Sequence, residues 1–151
     1  MKQLCIIPCG TKKIWDKYGD VGPTPAKEAY IGTFHNLCEQ YATRFCDEWV
    51  ILSAKHGFLL PSDMVEENYD VTFNTKSDQI ISMEQLQKQV DQKKLNQYDT
   101  VVVLTGKKYV PIVKGSFEIE KNIQFPLLRY SGIGYMQQAL KRAVTTQQPL
   151  H

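Results

Sequence analysis

Charge of one sign is missing from this chain. Its 18 Lys and Arg face 16 Asp and Glu, a formal net charge of +2 over 151 residues. Such a balance lacks the strongly basic footprint typical of nucleic-acid-binding proteins, but does not forbid an anionic ligand. Long apolar runs are also missing. None approaches the roughly 20 residues of a membrane span, and Met1-Lys2-Gln3 leads straight into a strand-like run rather than a leader. The expectation is a cytosolic protein with no membrane partner. Cysteine is sparse: the four are Cys5, Cys9, Cys38 and Cys46. No Cys-x-x-Cys pair occurs and the three histidines add no zinc spacing, so neither a disulfide framework nor a metal site is expected. No cofactor motif appears either; the G-x-x-x-x-G-K-[ST] phosphate loop is absent.

What remains is ordinary globular composition, with 42% apolar and 23% charged residues. The length suits one domain and buries roughly 70% of the unfolded surface without staples. Four short apolar runs read as buried strands: Leu4–Ile7, Trp49–Leu52, Thr100–Leu104 and Ile123–Leu127, the last with Pro126 marking its end or an edge. Between them lie helical patterns. Thr24-Pro25 reads as an N-cap with proline at the first helical position. Tyr30, Phe34, Leu37, Tyr41 and Phe45 then form one apolar stripe. Ser82 and Gln85 form a capping box for a helix from Met83 to about Lys94 that turns Leu86 and Val90 inward. Tyr109–Lys114 reads as a short helix ended by Gly115. A last helix runs to about Ala143, with Met136, Leu140 and Val144 inward. Ile14–Pro23 reads as a loop, whose Trp15 and Tyr18 pack on the body or stack on a ligand. Phe58–Pro61 reads as an apolar loop, and residues after Thr145 as a loose tail.

Strand and helix therefore alternate. This predicts a single α/β domain over 1–145, with 146–151 as a C-terminal tail. Its architecture is a three-layer, Rossmann-like sandwich around a mostly parallel central sheet. Parallel strands end on one side, so the loops after them share a rim, where ligands bind in open α/β sheets. Polar groups crowd those ends. After the first strand come Cys9, Gly10, Thr11 and Lys13; after the second, Ser53, Lys55, His56 and Gly57; after the third, Thr105, Gly106 and Lys107; after the fourth, Arg129. Several cations on one rim suit a phosphate, a carboxylate or an electron-rich heterocycle. His56 is the natural acid–base group. Cys9 serves as nucleophile if neighbouring ammoniums lower its pKa. Asp70, beside Tyr69, orients a base or shares a proton. The hydroxyl of Tyr30, at the head of its stripe, is within reach of the same rim.

Four strings carry a resemblance: Pro8-Cys9-Gly10-x-x-Lys13, Ala26-x-x-x-Tyr30-x-Gly32-x-Phe34, Leu52-Ser53-Ala54-Lys55-His56-Gly57 and Tyr69-Asp70. Together they resemble a family of small, largely uncharacterised bacterial and phage domains related to the YaaA-like superfamily, over about residues 4–140. The first string is also similar to the Pro-Cys-Ser-x-x-Lys loop in the core domain of archaeosine synthase, which adds lysine to a deazaguanine base in tRNA. Gly10 stands where that motif has serine. The resemblance implies nucleobase modification, or DNA binding of the kind found elsewhere in the superfamily.

The reading that follows is an enzyme directed at a nucleobase or nucleotide, free or within nucleic acid. Base modification, group transfer and glycosidic-bond chemistry are all open to it. The alternative is a non-catalytic binder of nucleic acid or of a nucleotide signal, which needs the cationic rim but not the reactivity of Cys9 or His56. A third class, a purely structural domain with idle strand ends, uses none of these groups. Nothing in the residues fixes an oligomeric state.

Overall fold

The structure is a computed structural model that describes residues 2–151. A five-stranded sheet forms its centre. In chain order the strands and helices begin with β1 (Gln3–Pro8), α1 (Ile14–Tyr18), β2 (Thr24–Pro25), α2 (Ala26–Ala29) and α3 (Thr33–Phe45). They continue with β3 (Glu48–Ser53), β4 (Gly57–Leu59), β5 (Met64–Val65), α4 (Met83–Gln92), β6 (Thr100–Val103), α5 (Val110–Ser116), β7 (Asn122–Gln124) and α6 (Ile133–Thr146). The sheet order is β4-β3-β1-β6-β7, and β2 pairs with β5 in a separate two-stranded ribbon. Every pairing among β3, β1, β6 and β7 is parallel; only β4 runs antiparallel, against β3. The expected α/β sandwich around a mostly parallel sheet is the observed one.

The pleat sorts the core into two layers. Cys5 and Ile7 of β1 point to the face covered by α3 and α6, with Leu37, Tyr41 and Leu140. Leu4 and Ile6 point to the other face, toward Leu86 and Val90 of α4 and Val113 of α5. Strands buried on both sides explain the unbroken apolar runs, since neither face can be polar. Chain order reverses direction at β1: β3 lies on one side of it and β6 on the other. The crevice above β1 and β6 is therefore the topological switch point of the sheet.

Several local expectations are corrected. The stretch 24–45 is not one helix. Thr24 pairs with Val65 in the ribbon, and its hydroxyl donates to the Gly22 carbonyl instead of capping. Tyr30 leaves the helix as extended backbone and bridges Lys13. The Ile31 amide adds a bond to the Lys12 carbonyl at 3.1 Å. Pairing with the loop after β1 outweighs helix propensity here and turns Tyr30 toward that loop. Phe58–Pro61 is loop only from Leu60 on, because Gly57–Leu59 folds back on β3 as an edge strand. Ile14–Tyr18 is a short helix that buries Trp15 and leaves Tyr18 exposed. Gly115 lies inside α5 rather than ending it. The tail is not loose: the Leu150 amide donates to the Tyr41 hydroxyl at 2.7 Å, and His151 Nδ1 lies 2.6 Å from the same oxygen. The Ser82–Gln85 capping box forms as expected. All four cysteines are free. No helix among the described residues is long and apolar enough to cross a membrane.

Candidate functional site

The loop after β1 is the hub. Gly10 takes φ +76°, a left-handed turn open to glycine at no steric cost, and this redirects the chain over the strand ends. Lys13 is then pinned from two directions. Its amide donates to the Asp16 carboxylate at 2.8 Å, and its backbone bridges Tyr30. Asp16 also accepts from Asn68 at 3.0 Å, which anchors the segment carrying Tyr69 beside the loop. Those bonds hold the Asp16 carboxyl below the usual carboxylate range.

The Lys13 side chain points inward and is only 3% exposed. Its ammonium donates to the Thr11 carbonyl at 3.0 Å and lies 4.5 Å from the centre of the Tyr69 ring. Among the described residues no carboxylate lies within ion-pairing distance of it. A buried ammonium held by one carbonyl and one ring face has given up hydration for incomplete compensation. Lys55 reaches the same ring at 5.5 Å, and the His56 ring meets it edge-on at 4.9 Å.

Under Tyr69 runs a chain of hydroxyls. Ser53 Oγ accepts from the amides of Lys55 and His56, at 3.2 and 3.1 Å. Those two bonds occupy its lone pairs, so its proton goes to the Tyr69 hydroxyl, 2.7 Å away. Tyr69 in turn donates to the hydroxyl of Tyr30. Burial raises the pKa of both tyrosines, so the chain is neutral at ordinary pH.

Cys9 sits at the head of this cluster. Burial pushes its thiol up, against the lowering effect of the nearby Lys13 ammonium and of the backbone amides around it. The expected activation by neighbouring ammoniums is thus outweighed, and Cys9 is a protonated thiol at neutral pH. His56 is shifted down, first by burial and then by Lys55 and Lys93, so it stands ready as a neutral base.

Three open spaces meet at Thr11. A small pocket of about 110 Å³ takes in Cys9, Lys13 and Asp70. A shallower depression of about 490 Å³ holds Asp16, Tyr69 and Asp70. The third, a cleft of about 560 Å³, occupies the switch point and is lined by Thr105, Gly106, Lys12, Lys108, His35 and the starts of α3 and α6. It shares Gly10, Thr11, Lys108 and Tyr109 with the small pocket.

The predicted residues therefore fall into three groups. Cys9, Lys13, Tyr30, Ser53, Lys55, His56 and Asp70 gather around Tyr69 and the small pocket. Gly10, Thr11, Thr105 and Gly106 line the switch-point cleft. Lys107 and Arg129 stand apart, in a neighbouring groove of about 550 Å³ that joins the cleft through Gly106. The single cationic rim expected from sequence is thus divided. Lys107 opens a tight 3₁₀ turn whose successive side chains diverge, so that Lys108 rather than Lys107 faces the cleft. Ser53, the last residue of β3, and Gly57, the first of β4, are buried and frame the turn between them rather than lining the cleft.

Two unanticipated residues are prominent. Tyr69 organises the whole inner cluster, and His35 lines the cleft from the first turn of α3. Ring nitrogen Nε2 of His35 and the hydroxyl of Thr105 are the buried side-chain polar atoms left without a partner among the described residues. Each such atom costs about 1–3 kcal/mol while unpaired.

An open α/β sheet with a strand-end cleft over its switch point defines the class of this protein. Residues 4–142 match the model of a family of unknown function (DUF6884), and the chain belongs to that family. It is 51% identical over 150 residues to the "Uncharacterized protein YfjM" of Bacillus subtilis (strain 168), covering 99% of this chain and 100% of the relative. No solved structure matches the chain.

Proposed function

We propose that this protein is an enzyme acting on a nucleobase, nucleoside or nucleotide, free or within nucleic acid. The observation that carries the reading is Lys13: a buried ammonium without a carboxylate, facing a pocket that opens into the switch-point cleft. A proton-bearing cation in that position polarises a base carbonyl or protonates a departing ring nitrogen. Asp70, on the wall of the same pocket, supplies a carboxylate to orient the attacking group. His56 supplies a neutral base behind the Tyr69 ring. Base modification, group transfer and glycosidic-bond cleavage all need this pairing of proton donor and acceptor. The resemblance of the Pro8–Lys13 and Leu52–Gly57 strings to the YaaA-like superfamily, and of the former to the archaeosine synthase loop, supports the same class of substrate.

A second reading, a non-catalytic binder of nucleic acid or a nucleotide signal, is favoured by one observation: the Cys9 thiol is held protonated and is a poor nucleophile. One experiment separates the two. The protein and its Lys13→Met variant are incubated with nucleosides, nucleotides and short oligonucleotides. Binding is followed by thermal shift and the bases are examined by mass spectrometry. The enzyme reading expects a released or altered base with the parent protein and none with Lys13→Met. Binding with every base left unaltered would favour the binder.

A further inference from the structure

The protonation of His35 specifies what the switch-point cleft accepts. His35 is 1% exposed and Thr105 is 0% exposed, and both line the cleft. His35 Nδ1 lies 2.9 Å from the Pro8 carbonyl oxygen. A carbonyl only accepts, so Nδ1 carries the proton and donates. Burial lowers the pKa of the ring, against the raising effect of the Pro8 bond, and so disfavours the doubly protonated form at neutral pH. Nε2 is consequently a bare lone pair, an acceptor and nothing else. A phosphate oxygen, itself an acceptor, has no bond to make with it. An N–H group does. The Thr105 hydroxyl can donate or accept, and so suits a carbonyl or ring nitrogen beside that N–H. Both atoms are buried and unpartnered at the cleft wall, so a donor brought to them by a small shift of that wall meets no competing water. Phe34, Tyr109 and Met136 add flat or pliable apolar wall, and about 560 Å³ is an ordinary volume for a small-molecule site.

We propose that this cleft is a base-recognition subsite: it takes a nucleobase that presents a ring N–H to His35 Nε2 and a carbonyl or ring nitrogen to Thr105 Oγ1. Any phosphate stays at the mouth, where Lys12 and Lys108 are exposed. The assignment rests on the nucleobase-directed reading above and narrows it to bases with a ring N–H.

The test uses the full chain and five probes: guanosine, 1-methylguanosine, uridine, 3-methyluridine and inorganic phosphate. The methylated nucleosides differ only in carrying a methyl group in place of the ring N–H hydrogen. Titration calorimetry should show guanosine or uridine binding, with a loss of about tenfold or more on methylation, the scale of one good hydrogen bond. The ¹⁵N resonance of His35 Nε2 should be that of an unprotonated nitrogen in the free protein and should shift with the binding nucleoside, not with phosphate. Thr105→Val, nearly isosteric, should weaken binding several-fold. Equal affinity for parent and methylated nucleosides overturns the inference. So does a protonated Nε2 in the free protein, or a shift of the His35 Nε2 resonance with phosphate alone. Base chemistry in the Lys13 experiment without discrimination by methylation removes this subsite and leaves the function standing; no binding and no chemistry removes both.

Discussion

The Lys13 ammonium lies 4.5 Å from the centre of the Tyr69 ring, on a side chain only 3% exposed. A cation–π contact contributes about 0.5–2 kcal/mol, and one carbonyl bond adds little more. Removing an ammonium from water costs several kcal/mol, so Lys13 is a poor structural element. Lys13→Met, of similar length and without charge, should leave the urea unfolding midpoint unchanged or raise it, while abolishing any base chemistry. A loss of more than about 1 kcal/mol in the same titration would mark Lys13 as a structural post and remove it from the site.

Stability should fall on the acid side of neutrality. His35, His56 and His151 all have pKa values lowered, with burial the largest cause in each. In the unfolded chain these rings take up protons below about pH 6.5, while the folded protein resists doing so. The unfolded state then binds more protons, so the stability is fully present above about pH 6.5 and is lost as pH drops through the folded values. Urea midpoints should be level from about pH 8 to about pH 7 and decline below about pH 6.5. A flat profile down to about pH 5 would show that the rings protonate freely in the fold.

The turn after β3 makes a coupled prediction. Gly57 has φ +74°, and a Cβ there would lie 2.1 Å from Gln89 Oε1 and 2.6 Å from Ile81 Cδ1. Gln89 cannot simply swing away, because Oε1 accepts from the Phe58 amide at 2.7 Å and Nε2 donates to the His56 carbonyl at 2.8 Å. Gly57→Ala should therefore cost about 2 kcal/mol or more, through backbone strain and loss of that clamp. In a Gln89→Ala background much of the clash is gone, so the same change should cost less. Additive losses in the double-mutant cycle would mean that the clamp does not bear on Gly57.

The sheet was legible in the sequence because three of its four parallel strands, β1, β3 and β6, are buried on both faces and leave continuous apolar runs; β7 is a half-exposed edge strand shorter than its apolar run. Strand ends rich in Lys, Thr and Gly likewise indicated where a cleft would lie. Elements governed by distant pairing were not legible. Nothing local in Ala26–Tyr30 shows that Tyr30 will leave the helix to pair with Lys13. Gly57–Leu59 has no alternation by which to distinguish an edge strand from an apolar loop. His35 carried a usable signal: with Cys38 and Ala42, at spacings of three and four, it completes the buried face of α3 beside Leu37 and Tyr41. The stripe drawn from Tyr30 passed it by. Tyr69 carried none beyond its place beside Asp70, since its role depends on Ser53, Tyr30 and Lys13, all distant in the chain.

The direction of the hydroxyl chain orders the effects of its removal. Ser53 Oγ serves three bonds, two from amides and one to Tyr69. Tyr69 serves two, accepting from Ser53 and donating to Tyr30. Tyr30 only accepts within the chain. At about 0.5–1.5 kcal/mol for each buried bond, Ser53→Ala should be the most destabilising, Tyr69→Phe next and Tyr30→Phe the least. Urea unfolding of the three variants checks the order. If Tyr30→Phe were the most destabilising, Tyr30 would have to donate back to Tyr69. If base chemistry is found, the same series separates support from participation. Protons that travel through the chain would make Tyr30→Phe cost more in turnover than its small structural effect explains. A purely structural chain would leave turnover in that variant near the parent value.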